Sequence, residues 1–122
     1  MVKDWPRMAK DMSGAVRELR GGAPEVMKGF SAIARAALEA KALDTKTKEL
    51  IALAIGVATR CDACVAFHAQ AAVQQGASRE EVMETLGMAI YMGAGPSVMY
   101  AAMATEAFDQ FAKDQSAADK AG

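Results

Sequence analysis

Alternation of polar and apolar positions is scarce along this chain, as are β-branched runs, while Ala is abundant and Met, Leu, Glu, Lys and Gln are common. That pattern predicts helices throughout. Asp4 is placed to cap a first helix, with Pro6 in its opening turn and Gly21-Gly22 at its end. Pro24 opens a second, to about Ala40, with Val26, Phe30, Ile33, Ala37 and Leu38 on one side. Asp44 caps a third, from Thr45 to about Thr59. Its Leu50, Ile51, Leu53, Ala54, Ile55, Val57 and Ala58 cover most of its circumference, and a helix apolar nearly all round is expected to be buried. A fourth helix starts near Cys61 or Asp62 and ends at Gly76, which suits a left-handed C-terminal cap. Ser78-Arg79-Glu80-Glu81 has the form of a capping box and opens a fifth, to about Met92. Gly93-Ala94-Gly95-Pro96 is read as a tight turn, after which Pro96 begins a sixth helix through Met99, Met103 and Phe108. The expected architecture is an all-α bundle of about six helices in one domain over residues 1–112. Residues 113–122, polar and small, are expected to form a flexible C-terminal tail.

Composition narrows the function. The chain of 122 residues is 52% apolar with a net charge of −1, and its charges are interspersed. It has no concentrated basic patch to grip a phosphate backbone, which argues against nucleic acid. Lys41, Lys46 and Lys48 are diluted by Asp44 and Glu49. No apolar stretch is long enough to span a bilayer, and no apolar run follows the positive charge near the N-terminus, so the expected location is cytoplasmic. In that reducing compartment a pair of cysteines two residues apart points to redox or metal chemistry rather than to a structural staple.

Both cysteines and the only histidine fall within Cys61-Asp62-Ala63-Cys64-Val65-Ala66-Phe67-His68. On a helix, Cys64 and His68 lie one turn apart on one face, with Cys61 a turn earlier. A thiolate, not a thiol, is the nucleophile, so something must lower the Cys64 pKa. A place in the first turn of the fourth helix does so, and His68 can take the proton. If the third and fourth helices form a hairpin closed near Arg60 and Cys61, Glu49 comes to about the level of His68 and can orient it. Glu49, His68 and Cys64 then form a relay of carboxylate, imidazole and thiol, with Cys61 as the resolving thiol.

The spacing of Glu49, the CxxC pair and His68 resembles the core motif of the alkylhydroperoxidase D-like proteins of the carboxymuconolactone decarboxylase superfamily. The resemblance runs from about Lys46 to Tyr100 and includes Gly76-Ala77-Ser78-Arg79-Glu80-Glu81 and Met92-Gly93-Ala94-Gly95-Pro96. It implies an all-helical, alkylhydroperoxidase D-like fold assembled as a homotrimer or homohexamer, and a thiol-dependent peroxidase cycle without a cofactor or metal. The position of Cys64 is that of the peroxidatic thiol and the position of Cys61 that of the resolving thiol, with Glu49 and His68 moving protons. The implied partners are a hydroperoxide and an external dithiol reductant, lipoyl-bearing or thioredoxin-like. Members of the family often carry Tyr directly before the second cysteine, where this chain has Ala63. The superfamily also has a cofactor-free decarboxylase branch that lacks the CxxC pair, so Cys61 and Cys64 argue against that lyase activity.

Other readings stand beside this one. The chain could be a dithiol–disulfide oxidoreductase that barely reacts with peroxide, or a non-catalytic helical oligomer whose thiols sense oxidants. Cys61, Cys64, His68 and Glu49 offer zinc-type ligands, but with no second CxxC they make a poor structural site. Met83, Met88, Met92, Met99 and Met103 are read as core gap-fillers, the alternative being a flexible apolar wall for a substrate or subunit interface. Trp5 is expected to pack the first helix onto the core or a neighbouring subunit. Tyr91 and Tyr100 are read as core-edge residues, either of which could replace the phenol missing at Ala63.

Overall fold

In the computed structural model, which describes residues 1–122, four of the five helices open on a side chain that accepts an amide N–H. Such a group satisfies one of the donors left free at a helix start. In α1 (Trp5–Gly22) Asp4 accepts from the Arg7 N–H at 3.1 Å. α2 (Pro24–Leu38) instead begins on a proline, which has no N–H to satisfy. α3 (Thr45–Ala58) is capped by Asp44, which accepts from Thr47 at 2.7 Å. α4 (Asp62–Gln74) is capped by Cys61. Gly76, at φ +79°, follows the end of α4, and the Gly76 and Ala77 N–H groups return to the carbonyls of Val73 and Ala72. α5 (Arg79–Ala121) opens on the reciprocal Ser78–Glu81 capping box.

The five elements match the expected bundle of about six helices, because α5 is itself two helices run together. They join at a kink, where Ala94 leaves helical geometry, and the direction reverses there. Arg79 and Asp109 would stand about 45 Å apart on a straight helix; they are joined by two hydrogen bonds of 3.0 and 3.1 Å. The two halves of α5 thus lie side by side, and the expected turn is a one-residue pivot. The segment expected as a flexible tail continues α5 to Ala121, with residues 113–122 exposed.

The pivot is strained. Ala94 sits at φ 53°, ψ −139°, a region that suits glycine. Ala94→Gly is expected to stabilise the fold by about 1 kcal/mol and raise Tm by about 3–5 °C, measured by calorimetry.

α3, α4 and α5 pack on one another, α1 lies against α4 and α5, and α2 touches only α1 and α3. The core is built on Leu53, Val57, Val65 and Val82, with Trp5 pinning α1 to it. Ala66, Ala69 and Ala72 of α4 and Ala101, Ala104 and Ala107 of α5 are all buried, and their small side chains let helices approach closely.

Two expectations about burial, for α3 and for the methionines, need correction. α3 is not buried all round: Leu50, Leu53 and Val57 are inside, but Ile51 and Ile55, one turn apart, face outward. α2 has no buried residue, and Val26, Phe30 and Ile33 are each at least 60% exposed. Met88, Met92 and Met99 are likewise exposed rather than filling the core, whereas Met103 packs against it. In each case the apolar pattern is real but nothing within one chain covers it. No helix is long and apolar enough to cross a membrane.

Candidate active site

The α3–α4 turn is only Thr59, Arg60 and Cys61, and backbone hydrogen bonds fix it. The Arg60 N–H reaches the Val57 carbonyl at 3.2 Å and the Cys61 N–H reaches the Gly56 carbonyl at 3.0 Å, with Arg60 left-handed at φ 55°. This is the Schellman closure of α3. Its last donor, Cys61, is also the first residue to cap α4, where its Sγ accepts the Cys64 N–H at 3.2 Å. One helix end thus delivers both sulfurs to the start of the next.

Gly56 permits the close approach. A Cβ built on it would lie 3.2 Å from the Cβ of Cys64, tighter than nine in ten real contacts of that kind. Gly56→Val is expected to push the first turn of α4 away from α3, costing about 1–3 kcal/mol in chemical denaturation. The two cysteines are joined as a disulfide, with Cα atoms 5.1 Å apart, and both are partly exposed.

Antiparallel packing of α3 and α4 brings Glu49 against His68, with the Glu49 Oε1 to His68 Nδ1 distance 2.7 Å. Glu49 is buried at 7% exposure, while the His68 side chain keeps 31%. An ionised carboxylate accepts only, so opposite ionised Glu49 the Nδ1–H donates, and a neutral ring then has its lone pair on Nε2. The four residues singled out from the sequence thus occupy one turn and the two helices that meet at it. No group of three or more His, Cys, Asp or Glu side chains is arranged to hold a metal ion.

A second cluster at the same helix end is not evident from the sequence. Asp62, between the cysteines, is the first residue of α4. Its Oδ2 pairs with the Lys3 ammonium, and its Oδ1 accepts a hydrogen bond from the Tyr100 hydroxyl at 2.8 Å. The Lys3 hydrogen bond, and then that of Tyr100, hold the Asp62 carboxyl below its ordinary pKa. The same bond to Asp62, with some burial, raises the Tyr100 phenol. Tyr91 by contrast is 78% exposed. An acid inside the CxxC loop hints that a partner is needed, but the partners lie 59 and 38 residues away in the chain.

The comparison with known proteins agrees with this geometry. The carboxymuconolactone decarboxylase family profile matches residues 24–107, from the start of α2 into the second half of α5. An uncharacterised protein of Haemophilus influenzae is 40% identical over 108 residues, covering 88% of this chain and 96% of its own. An uncharacterised protein of Cupriavidus necator is 42% identical over 86 residues, covering 70% of this chain and 76% of its own. Among solved structures, the apo form of a carboxymuconolactone decarboxylase family protein from Legionella pneumophila superposes with a TM-score of 0.87 at 52% identity, over 88% of this chain and 96% of that one. A Thermotoga maritima member of the family, for which an antioxidative role is suggested, gives 0.78 at 29% identity, over 88% and 95%. With a family profile spanning most of its length and relatives matched nearly end to end, the chain belongs to the carboxymuconolactone decarboxylase family.

Proposed function

We propose that this protein is a thiol-dependent peroxidase of the alkylhydroperoxidase D type. The observation that carries this reading is the Cys61–Cys64 disulfide at the start of α4, one turn from a histidine whose Nδ1 is held by a buried glutamate. The antioxidative role suggested for the Thermotoga relative supports it.

In the reduced protein His68 takes the proton of Cys64, and Glu49 stabilises the imidazolium. The Cys64 thiolate attacks the hydroperoxide; the O–O bond breaks, the alcohol leaves with the proton from His68, and Cys64 becomes a sulfenic acid. Cys61 then attacks that sulfur, water leaves, and the disulfide forms. Its thiolate is helped by the Cys64 N–H that already points at Cys61 Sγ. An external dithiol attacks Cys61 Sγ, Cys64 leaves as a thiolate, and a second thiol–disulfide exchange releases the oxidised reductant. The net reaction converts hydroperoxide and dithiol into alcohol, water and disulfide.

Steady-state assays with a dithiol reductant test this reading. Repeated consumption of an alkyl hydroperoxide, faster than reduction of a model disulfide, is the expected result. The reverse order assigns the protein to dithiol–disulfide exchange, and a single turnover assigns it to oxidant sensing.

The reading includes a homo-oligomer, trimeric or hexameric, that covers the outward apolar faces of α2 and α3. Phe30→Glu is expected to lower the mass seen by sedimentation; an unchanged mass rules out α2 as part of the contact.

A further inference from the structure

Asp62 poses an electrostatic conflict. The start of a helix favours one negative charge, through its free N–H groups and dipole. In α4 that place is contested. Asp62 is the first helical residue, while Cys61 and Cys64 flank it and need the same field to ionise. A bare carboxylate between two thiols destabilises either thiolate.

We propose that Lys3 and Tyr100 form a clamp that neutralises and turns aside the Asp62 carboxylate, and so keeps the cysteine pair ionisable. Two independent observations support it. Both oxygens of Asp62 are engaged, Oδ2 by Lys3 and Oδ1 by Tyr100, from opposite ends of the chain. Lys3 is also not a free surface lysine, because the backbone around it is tied to α5. Gln110 donates from Nε2 to the Lys3 carbonyl at 2.8 Å and accepts the Trp5 N–H at 2.8 Å. The Val2 N–H is bound to Glu106 at 2.7 Å, and the Lys3 ammonium lies 5.6 Å from the centre of the Trp5 ring. The N-terminal arm thus delivers one cation to the one acid inside the CxxC loop.

The other charged or titratable groups around this helix end are the Glu49–His68 pair on α3 and α4 and Arg60 in the turn. Neither group pairs with Asp62. Lys3 and Tyr100 are positioning residues here and contact no reacting atom. The inference rests on the dithiol–disulfide chemistry above and not on peroxide being the substrate.

The test is the pH dependence of iodoacetamide alkylation of the reduced full-length protein, with the modified cysteine identified by mass spectrometry. Asp62→Asn is expected to lower the apparent pKa of the faster cysteine, and Lys3→Met to raise it. Each should change the rate at pH 7 by about threefold or more, in opposite directions. Lys3→Arg should stay near wild type, which separates loss of charge from loss of fold. Tyr100→Phe should raise the apparent pKa in the wild-type background and do nothing in Asp62→Asn, since the phenol acts only through that carboxylate. Equal profiles for wild type and Lys3→Met, shifts of the same sign for Lys3→Met and Asp62→Asn, or a Tyr100→Phe effect that persists without Asp62 would overturn the clamp. Because the readout is thiol ionisation, absent peroxide turnover with these shifts intact would remove the peroxidase reading and leave the clamp standing.

Discussion

Cys64→Ser is expected to reduce hydroperoxide turnover to background, a loss of about three orders of magnitude or more, because the remaining thiol, Cys61, lies seven residues from His68 rather than one helical turn. Serine keeps the size and place of the side chain, and Gly56 still accommodates it, so the fold should survive. Cys61→Ser should behave differently. It retains the attacking thiol and the Glu49–His68 pair, so one equivalent of peroxide is consumed and Cys64 stops as a sulfenic acid, trapped by dimedone and seen by mass spectrometry. If Cys64→Ser, freed of contaminants, turned over at the wild-type rate, the roles given to the two sulfurs would be wrong. If Cys61→Ser cycled normally with a dithiol, Cys61 would not be the resolving thiol.

The second large effect is expected at Glu49. Its carboxylate is buried and bonded to His68 Nδ1, so it fixes the ring and the tautomer and balances the charge His68 gains with the Cys64 proton. Glu49→Gln keeps the volume but not the charge, and an amide can offer its NH2 to the ring instead. Oxidation by peroxide should slow by about 10²–10⁴-fold, with little change in the denaturation midpoint. The separation of rate from stability is the informative part. A purely structural glutamate would lose both together or neither. His68→Asn should give a similar rate, and the double variant should add little, since the two residues act as one unit.

How much of this is legible in the sequence depends on the range of the interaction. Helix starts are local, and Asp4, Asp44 and Ser78 cap where the sequence places them. The α3–α4 hairpin is nearly local as well. Helix rise and a short turn are enough to set Glu49 level with His68. What the sequence hides is what an apolar side chain touches. Ile51 and Leu53 are equally apolar in the pattern, yet one is outside and the other fully buried. Met88, Met92 and Met99 read as core for the same reason, because a single chain carries no mark for a surface it leaves open. The α5 pivot is half legible. Gly93, Gly95 and Pro96 announce a break, but the strained residue is the alanine between them. The Lys3–Asp62–Tyr100 cluster joins three distant parts of the chain, and only the fold brings them together.

The most direct measurement is stopped-flow oxidation of the reduced protein by an alkyl hydroperoxide, followed by acid quench and mass spectrometry. A rate at least about 10²-fold above that of a free thiol, ending in a Cys61–Cys64 disulfide, is the result expected of an activated thiolate with a resolving partner. Oxidation at the rate of a free thiol, or a product without that disulfide, would contradict the peroxidase reading.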